Sequence, residues 1–179
     1  MIVILHNIRS LYNVGSIFRT ADAAGVEKLY LAGITPVPFD RFGKIRPQFA
    51  KVSLGAEKYV EWDASARSAR AVTRLLERLK SQGYKILAIE QNPKAVPYYR
   101  FKLRGAMTRH SRAKLALVLG SEVGGLPQSV LRQCDKILEI PMRRMLTGDA
   151  RHPRYTRQGK EPLNVSVSFA IVAFHLISR

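Results

Sequence analysis

Leu115-Ala116-Leu117-Val118-Leu119-Gly120-Ser121-Glu122-Val123-Gly124-Gly125-Leu126 carries two messages in one short stretch. Its first five residues are apolar without alternation, the pattern of a strand covered on both faces, as in a parallel sheet. The glycines and single carboxylate that follow stand where the chain turns towards a helix expected near Pro127. Glycine in such a place lets backbone approach a ligand closely, and free N–H groups can bind its polar atoms. No Gly-Lys-Ser/Thr follows, so it is not a Walker loop. Nor does it spell Gly-x-Gly-x-x-Gly, which disfavours a Rossmann dinucleotide site.

The same strand signature recurs at residues 2–5, 28–32, 85–89 and 136–140. Helical patterns are expected between these runs at about 14–24, 64–81, 127–133 and 165–177. Alternating strands and helices predict an α/β fold: a mostly parallel sheet with helices on both faces. The length suits a single domain over residues 1–179.

In the first helix Val14, Ile17, Phe18 and Ala21 share one face, and Gly25 stops it. Asn13 stands where a helix cap belongs. Arg19, set between Phe18 and Thr20-Ala21, is expected to be partly buried. Six residues of helix do not put Asn13 and Arg19 on one face, so spacing alone does not pair them. Asn164 is equally open: cap of the last helix, ligand group, or both. In the second helix Ala69, Val72, Leu75, Leu76 and Leu79 form the buried stripe. Arg67, Arg70, Arg74 and Arg78 recur on the opposite side, either as a solvated face or as a surface for RNA.

Three stretches break the alternation. Residues 34–48 hold Pro36, Pro38 and Pro47 and read as an extended loop. Residues 92–114 and 142–162 are rich in arginine, and each follows a strand's C-terminal end, where open α/β sheets bind ligands.

Lys and Arg number 30 against 13 Asp and Glu, a formal charge of +17. A field of that size attracts polyanions, with strong salt dependence wherever phosphates are contacted. One cysteine excludes an internal disulfide and a multi-cysteine zinc site; Cys134 reads as a small core residue. The four histidines are scattered without ligand spacing, so no metal site is expected. His6, at the end of the first strand, is a candidate substrate contact. The N-terminus lacks a basic signal region, and the late apolar run 169–177 falls short of a membrane span. The expected compartment is the cytoplasm.

Three ordered motifs resemble the SpoU/TrmH family of RNA ribose 2′-O-methyltransferases within the SPOUT superfamily. The first runs from Asn7, Arg9 and Ser10 through Asn13-Val14-Gly15-Ser16 to Phe18-Arg19-Thr20-Ala21. The second is Leu117-Val118-Leu119-Gly120-Ser121-Glu122, closed by Gly125-Leu126. The third is Ile140-Pro141-Met142, continued by Leu163-Asn164-Val165-Ser166-Val167. Lys51 to Glu57 and Gly33-Ile34-Thr35-Pro36 are also similar to the family.

The resemblance implies a C-terminal deep trefoil knot, which pattern reasoning would not propose. It implies S-adenosylmethionine as cofactor, held largely by main chain at Ile89, Gly120, Ile140 and Leu163. It places catalytic roles on Asn13, Arg19, Glu122 and Asn164, with Arg19 helping to deprotonate the ribose hydroxyl. It further implies tRNA or rRNA as substrate and a homodimer with sites near the interface. No metal and no membrane enter.

Two departures stand out. About twenty residues separate Met142 from Leu163, where the family has a few, so residues 143–158 read as a basic insertion. Pro162 replaces a serine common before Leu-Asn. The alternative function is a non-catalytic RNA-binding module on the same fold. The presence of Asn13, Arg19, Glu122 and Asn164 argues against it, since binding alone would not need that set.

Overall fold

The computed structural model describes residues 1–102, 114–142 and 163–178. Among the described residues seven strands form one sheet: β1 (Ile2–His6), β2 (Lys28–Ala32), β3 (Glu61–Asp63), β4 (Lys85–Ile89), β5 (Val96–Pro97), β6 (Leu115–Leu119) and β7 (Lys136–Glu139). Five α-helices accompany them: α1 (Leu11–Ala23), α2 (Pro47–Ser53), α3 (Ala69–Ser81), α4 (Gln128–Leu131) and α5 (Val165–Ile177). The strand order is β3-β2-β1-β6-β4-β7-β5, and every pairing is parallel.

The continuous apolar runs are explained by burial on both sides. Val3, Leu5, Leu29, Leu31, Leu87 and Leu117 point to one core, shared with α1, α5 and Phe49 of α2. Ile4, Tyr30, Ile86, Ala88 and Val118 point to the other, under α3 and α4. All five residues of β6 are buried, as a central strand flanked by β1 and β4 requires.

Several boundaries differ from the expectation, each for a local reason. Ser10 caps α1, its side chain accepting the Asn13 N–H at 3.2 Å, so the helix starts three residues early and Asn13 lies inside its first turn. In α3 the start is later than expected. Asp63 binds the backbone N–H and hydroxyl of Ser65, holding a turn there, and Ser68 then caps the helix at Ala69. The proline-rich loop contains the Phe39–Ile45 bridge and runs into α2, whose first residue is Pro47. Strands β3 and β5 are too short to leave a periodic signal.

Gly15 shows how closely α1 and α2 pack. A Cβ there would lie 2.6 Å from Val52 Cγ2 and 3.1 Å from the Phe49 carbonyl oxygen. Beside it Phe18 and Phe49 meet edge to face, their centroids 5.2 Å apart. The expected knot turns on the path between Met142 and Leu163, and residues 143–162, with the basic insertion at 143–158, lie outside the described residues.

Overpacking at this contact should be measurable. Gly15→Val should lower stability by about 1–3 kcal/mol, read as a drop in the denaturant midpoint. An unchanged midpoint would mean that α2 is not held against α1 as described.

Candidate active site

The C-terminal ends of β4, β6 and β7 open into a cavity of about 490 Å³, within the range of small-molecule sites. Ile89, Gly120, Ile140 and Leu163 all line it, with Glu122, Leu126 and Glu139. Its wall between β6 and α4 is the glycine loop, folded back on itself. Gly125 N–H donates to the Ser121 carbonyl at 2.9 Å, and Gly124 N–H to the Ser121 hydroxyl at 3.1 Å. A Cβ on Gly120 would stand 2.5 Å from the Gly125 carbonyl carbon and 2.7 Å from Leu126 N. Only glycine permits that approach of two backbone segments.

Glu90, the residue after β4, ties the loop down. One carboxylate oxygen accepts the Leu126 N–H at 2.9 Å and the other the Gln91 N–H at 3.0 Å. Sequence reasoning missed it. The available signal was a carboxylate directly after a buried strand, at the ligand-binding edge of the sheet.

Three of the four expected catalytic residues come together. Asn13 donates its side-chain N–H to Glu122 Oε1 and accepts at Oδ1 from Asn164 Nδ2 at 3.0 Å. Asn164 Oδ1 in turn accepts the Ser166 N–H at 2.9 Å and its hydroxyl at 2.7 Å. Asn164 is therefore both the cap of α5 and a member of the polar chain. Glu122 is the member that reaches the cavity wall.

Arg19 stands apart. It is exposed rather than partly buried, because it leaves α1 on the side away from the buried stripe of Val14, Ile17, Phe18 and Ala21. It lines a second, open hollow with Ser16, Lys51 and Phe174. Among the described residues it enters no ion pair.

His6 does not line the cavity. Its ring is buried, and its Nδ1 has no hydrogen-bond partner among the described residues. The Lys51–Glu57 stretch serves the fold, with Ser53 Oγ donating to the buried Glu57 carboxylate at 2.7 Å. Cys134 is half-buried and its thiol is pushed up to about 12, chiefly by that burial; it is no nucleophile. Among the described residues no cluster of His, Cys, Asp or Glu could hold a metal, and no helix is long and apolar enough to cross a membrane.

Residues 1–147 match the model of the SpoU rRNA Methylase family. The chain belongs to this family. It is 30% identical over 141 residues to a putative TrmH family tRNA/rRNA methyltransferase of Staphylococcus aureus, covering 79% of this chain and 49% of that protein. The chain thus spans about half the length of the curated relatives it matches. Among solved structures it is similar to the SpoU methyltransferase AviRb from Streptomyces viridochromogenes in complex with AdoMet (TM-score 0.73, 19% identity, 99% of this chain and 59% of that one). It is also similar to an RNA 2′-O ribose methyltransferase (TM-score 0.72, 24% identity, 99% and 55%). These likenesses fix the fold as that of SpoU proteins, with its mostly parallel sheet.

Burial holds the His6 pKa below its ordinary 6.5. The unfolded chain then binds the proton more readily, so the stability owed to the neutral ring is full above about pH 6.5 and is lost as pH falls through the lower folded value. The denaturant midpoint should fall between pH 7.5 and 5.5, and His6→Gln should flatten that fall. An identical slope in the variant would assign the acid sensitivity to other groups.

Proposed function

We propose that this protein is an S-adenosylmethionine-dependent methyltransferase acting on a ribose 2′-hydroxyl of structured tRNA or rRNA, working as a cytoplasmic homodimer. The observation that carries this reading is the chain Glu122–Asn13–Asn164, set against the cavity lined by Ile89, Gly120, Ile140 and Leu163. Family membership supports it, as do the cofactor and the ribose activity named for the two solved structures. A binding module has no need of a side-chain network that orients one asparagine amide through both its atoms.

The cavity fits the cofactor. Its wall at Gly120 is bare backbone, since a Cβ there would collide with the Gly125 and Leu126 backbone, and Ile89, Leu119, Ile140 and Leu163 give apolar surface for an adenine ring. When bound, S-adenosylmethionine supplies an electrophilic sulfonium methyl. The chain's own residues do the rest. Asn13, fixed by Asn164, holds the Glu122 carboxylate in place at the cavity wall. Arginine stays charged at neutral pH, so Arg19 acts best by holding an RNA phosphate and stabilising negative charge as the hydroxyl loses its proton.

The homodimer gives Arg19 its place. Helix α5 is apolar over most of its circumference, Ser166, Ser168 and His175 apart, and such helices are normally covered. Here Val167, Phe174 and Ile177 remain exposed, and Phe174 shares the hollow of Arg19. A second copy over this face would put Arg19 in a site shared between subunits.

Incubation with labelled cofactor and total RNA, followed by nucleoside analysis, should yield a 2′-O-methylated nucleoside. Label in a base would overturn the ribose assignment. Arg19→Ala should abolish transfer while leaving S-adenosylmethionine binding intact, whereas full activity in that variant would remove Arg19 from the mechanism. Gly120→Ala should instead lose cofactor binding, measured by calorimetry, and transfer with it.

A further inference from the structure

The arginine row of α3 resolves into two kinds of residue. Arg67, exposed just before the helix, folds back along the surface and serves the fold, its Nη1 donating to the carbonyl oxygens of Gly33 at 3.0 Å and Thr35 at 2.6 Å. Arg78 makes a long contact of 3.4 Å to the Tyr30 hydroxyl. It also lies near the Asp63 carboxylate, whose pKa is held low mainly by Ser65 and to a lesser degree by Lys28 and Arg78. Arg70 and Arg74 have no such engagement. Both are exposed, and neither forms an ion pair among the described residues.

These two do not simply radiate into solvent. With Ser65, Ser68 and Arg78 they line one hollow of about 210 Å³, and no carboxylate lies in its wall. Four residues of helix advance about 6 Å along the axis, so the two guanidinium groups stand one above the other along a short track. Two adjacent positive forks, with no carboxylate in the wall and the nearby Asp63 engaged by Ser65, suit the oxygens of consecutive phosphodiesters.

The hollow also lies towards the edge of the sheet where the chemistry is expected, with α3 on the face opposite to α1 and α5. Helix α3 starts at the C-terminal edge, just after β3, and its approach is pinned there by Gly33 N–H donating to the Ala66 carbonyl at 2.9 Å. Thr35 in the same loop accepts the Ile8 N–H at 3.1 Å, and that segment leads directly into α1 and Asn13. The hollow and the Glu122–Asn13–Asn164 chain therefore share one edge of the sheet.

We infer that Arg70 and Arg74 form a backbone-gripping track for the RNA substrate, holding phosphates of the strand that presents its ribose to the cavity. This deepens the reading of the protein as an RNA methyltransferase and rests on it. The contact is to phosphate rather than base, so it adds affinity without choosing sequence.

The test compares the wild type with Arg70→Ala/Arg74→Ala, and with Lys85→Ala/Lys136→Ala as a charge-matched control. Lys85 and Lys136 begin β4 and β7 at the opposite edge of the sheet, and both are exposed. Loss of two phosphate contacts should weaken RNA binding roughly tenfold and lower the slope of log affinity against log salt by about 1.5. KM for RNA should rise, with kcat at saturating RNA and S-adenosylmethionine affinity unchanged. An unaltered affinity and slope in the arginine variant would overturn the track, and so would an equal loss in the lysine control. A wild type that binds RNA but transfers no methyl group would instead sink the enzyme reading, leaving the binding comparison to decide the track. A wild type that binds no RNA would overturn both.

Discussion

Strand β6 sits between β1 and β4, and the site depends on that insertion. Its side chains fill both cores at once, which is why five consecutive residues are apolar. Because the strand is central, its C-terminal end emerges beside those of β1 and β4. The glycine loop is thereby delivered next to Glu90 on one side and to the start of α1 on the other. Glu122 meets Asn13 across 109 positions of sequence, and Asn164 meets the same residue across 151. The first of these contacts follows from the place of β6 beside β1.

Polar groups at this edge are costly unless they satisfy one another. Asn13 uses both atoms of its amide, Asn164 caps its helix and donates forward, and Glu90 accepts through both oxygens. The bond lengths follow from the backbone frame: α1 and α5 pack into the same core, so their first turns are brought together. Rigid elements, rather than loops alone, thus position the side chains, which is the condition for an aimed polar group. Arg19 obeys a different rule. It lies exposed on the outer side of α1, and among the described residues it enters no ion pair.

Much of this was legible from periodicity. Continuous apolar runs marked β1, β2, β4, β6 and β7, and the glycine loop marked the cavity wall, because backbone contact requires a missing side chain whatever the fold. The partnership of Asn13 with Asn164 was not legible, since no local pattern states which distant turn will pack nearby. It entered only through the resemblance of ordered motifs. Ser10 rather than Asn13 proved to be the cap: two neighbouring cap formers give the same signal, and only the register of the helix chooses between them. Glu90 and the split of the arginine row were hidden for a related reason. Sequence places a charge on a helix face or strand end, but its partner depends on what tertiary packing brings within reach.

The interior position of β6 also has a kinetic side. Ile2 pairs with Lys28 on one flank and with Ala116 on the other, so one pairing closes a short loop and the other nearly two thirds of the chain. Loop-closure entropy grows with that separation, and parallel sheets rich in distant pairings fold slowly. Until β6 has docked, β1 and β4 each present an unpaired edge, the geometry that templates association between chains. The strand that completes the cavity is therefore also the one that ends the interval in which this protein is most exposed to misassembly.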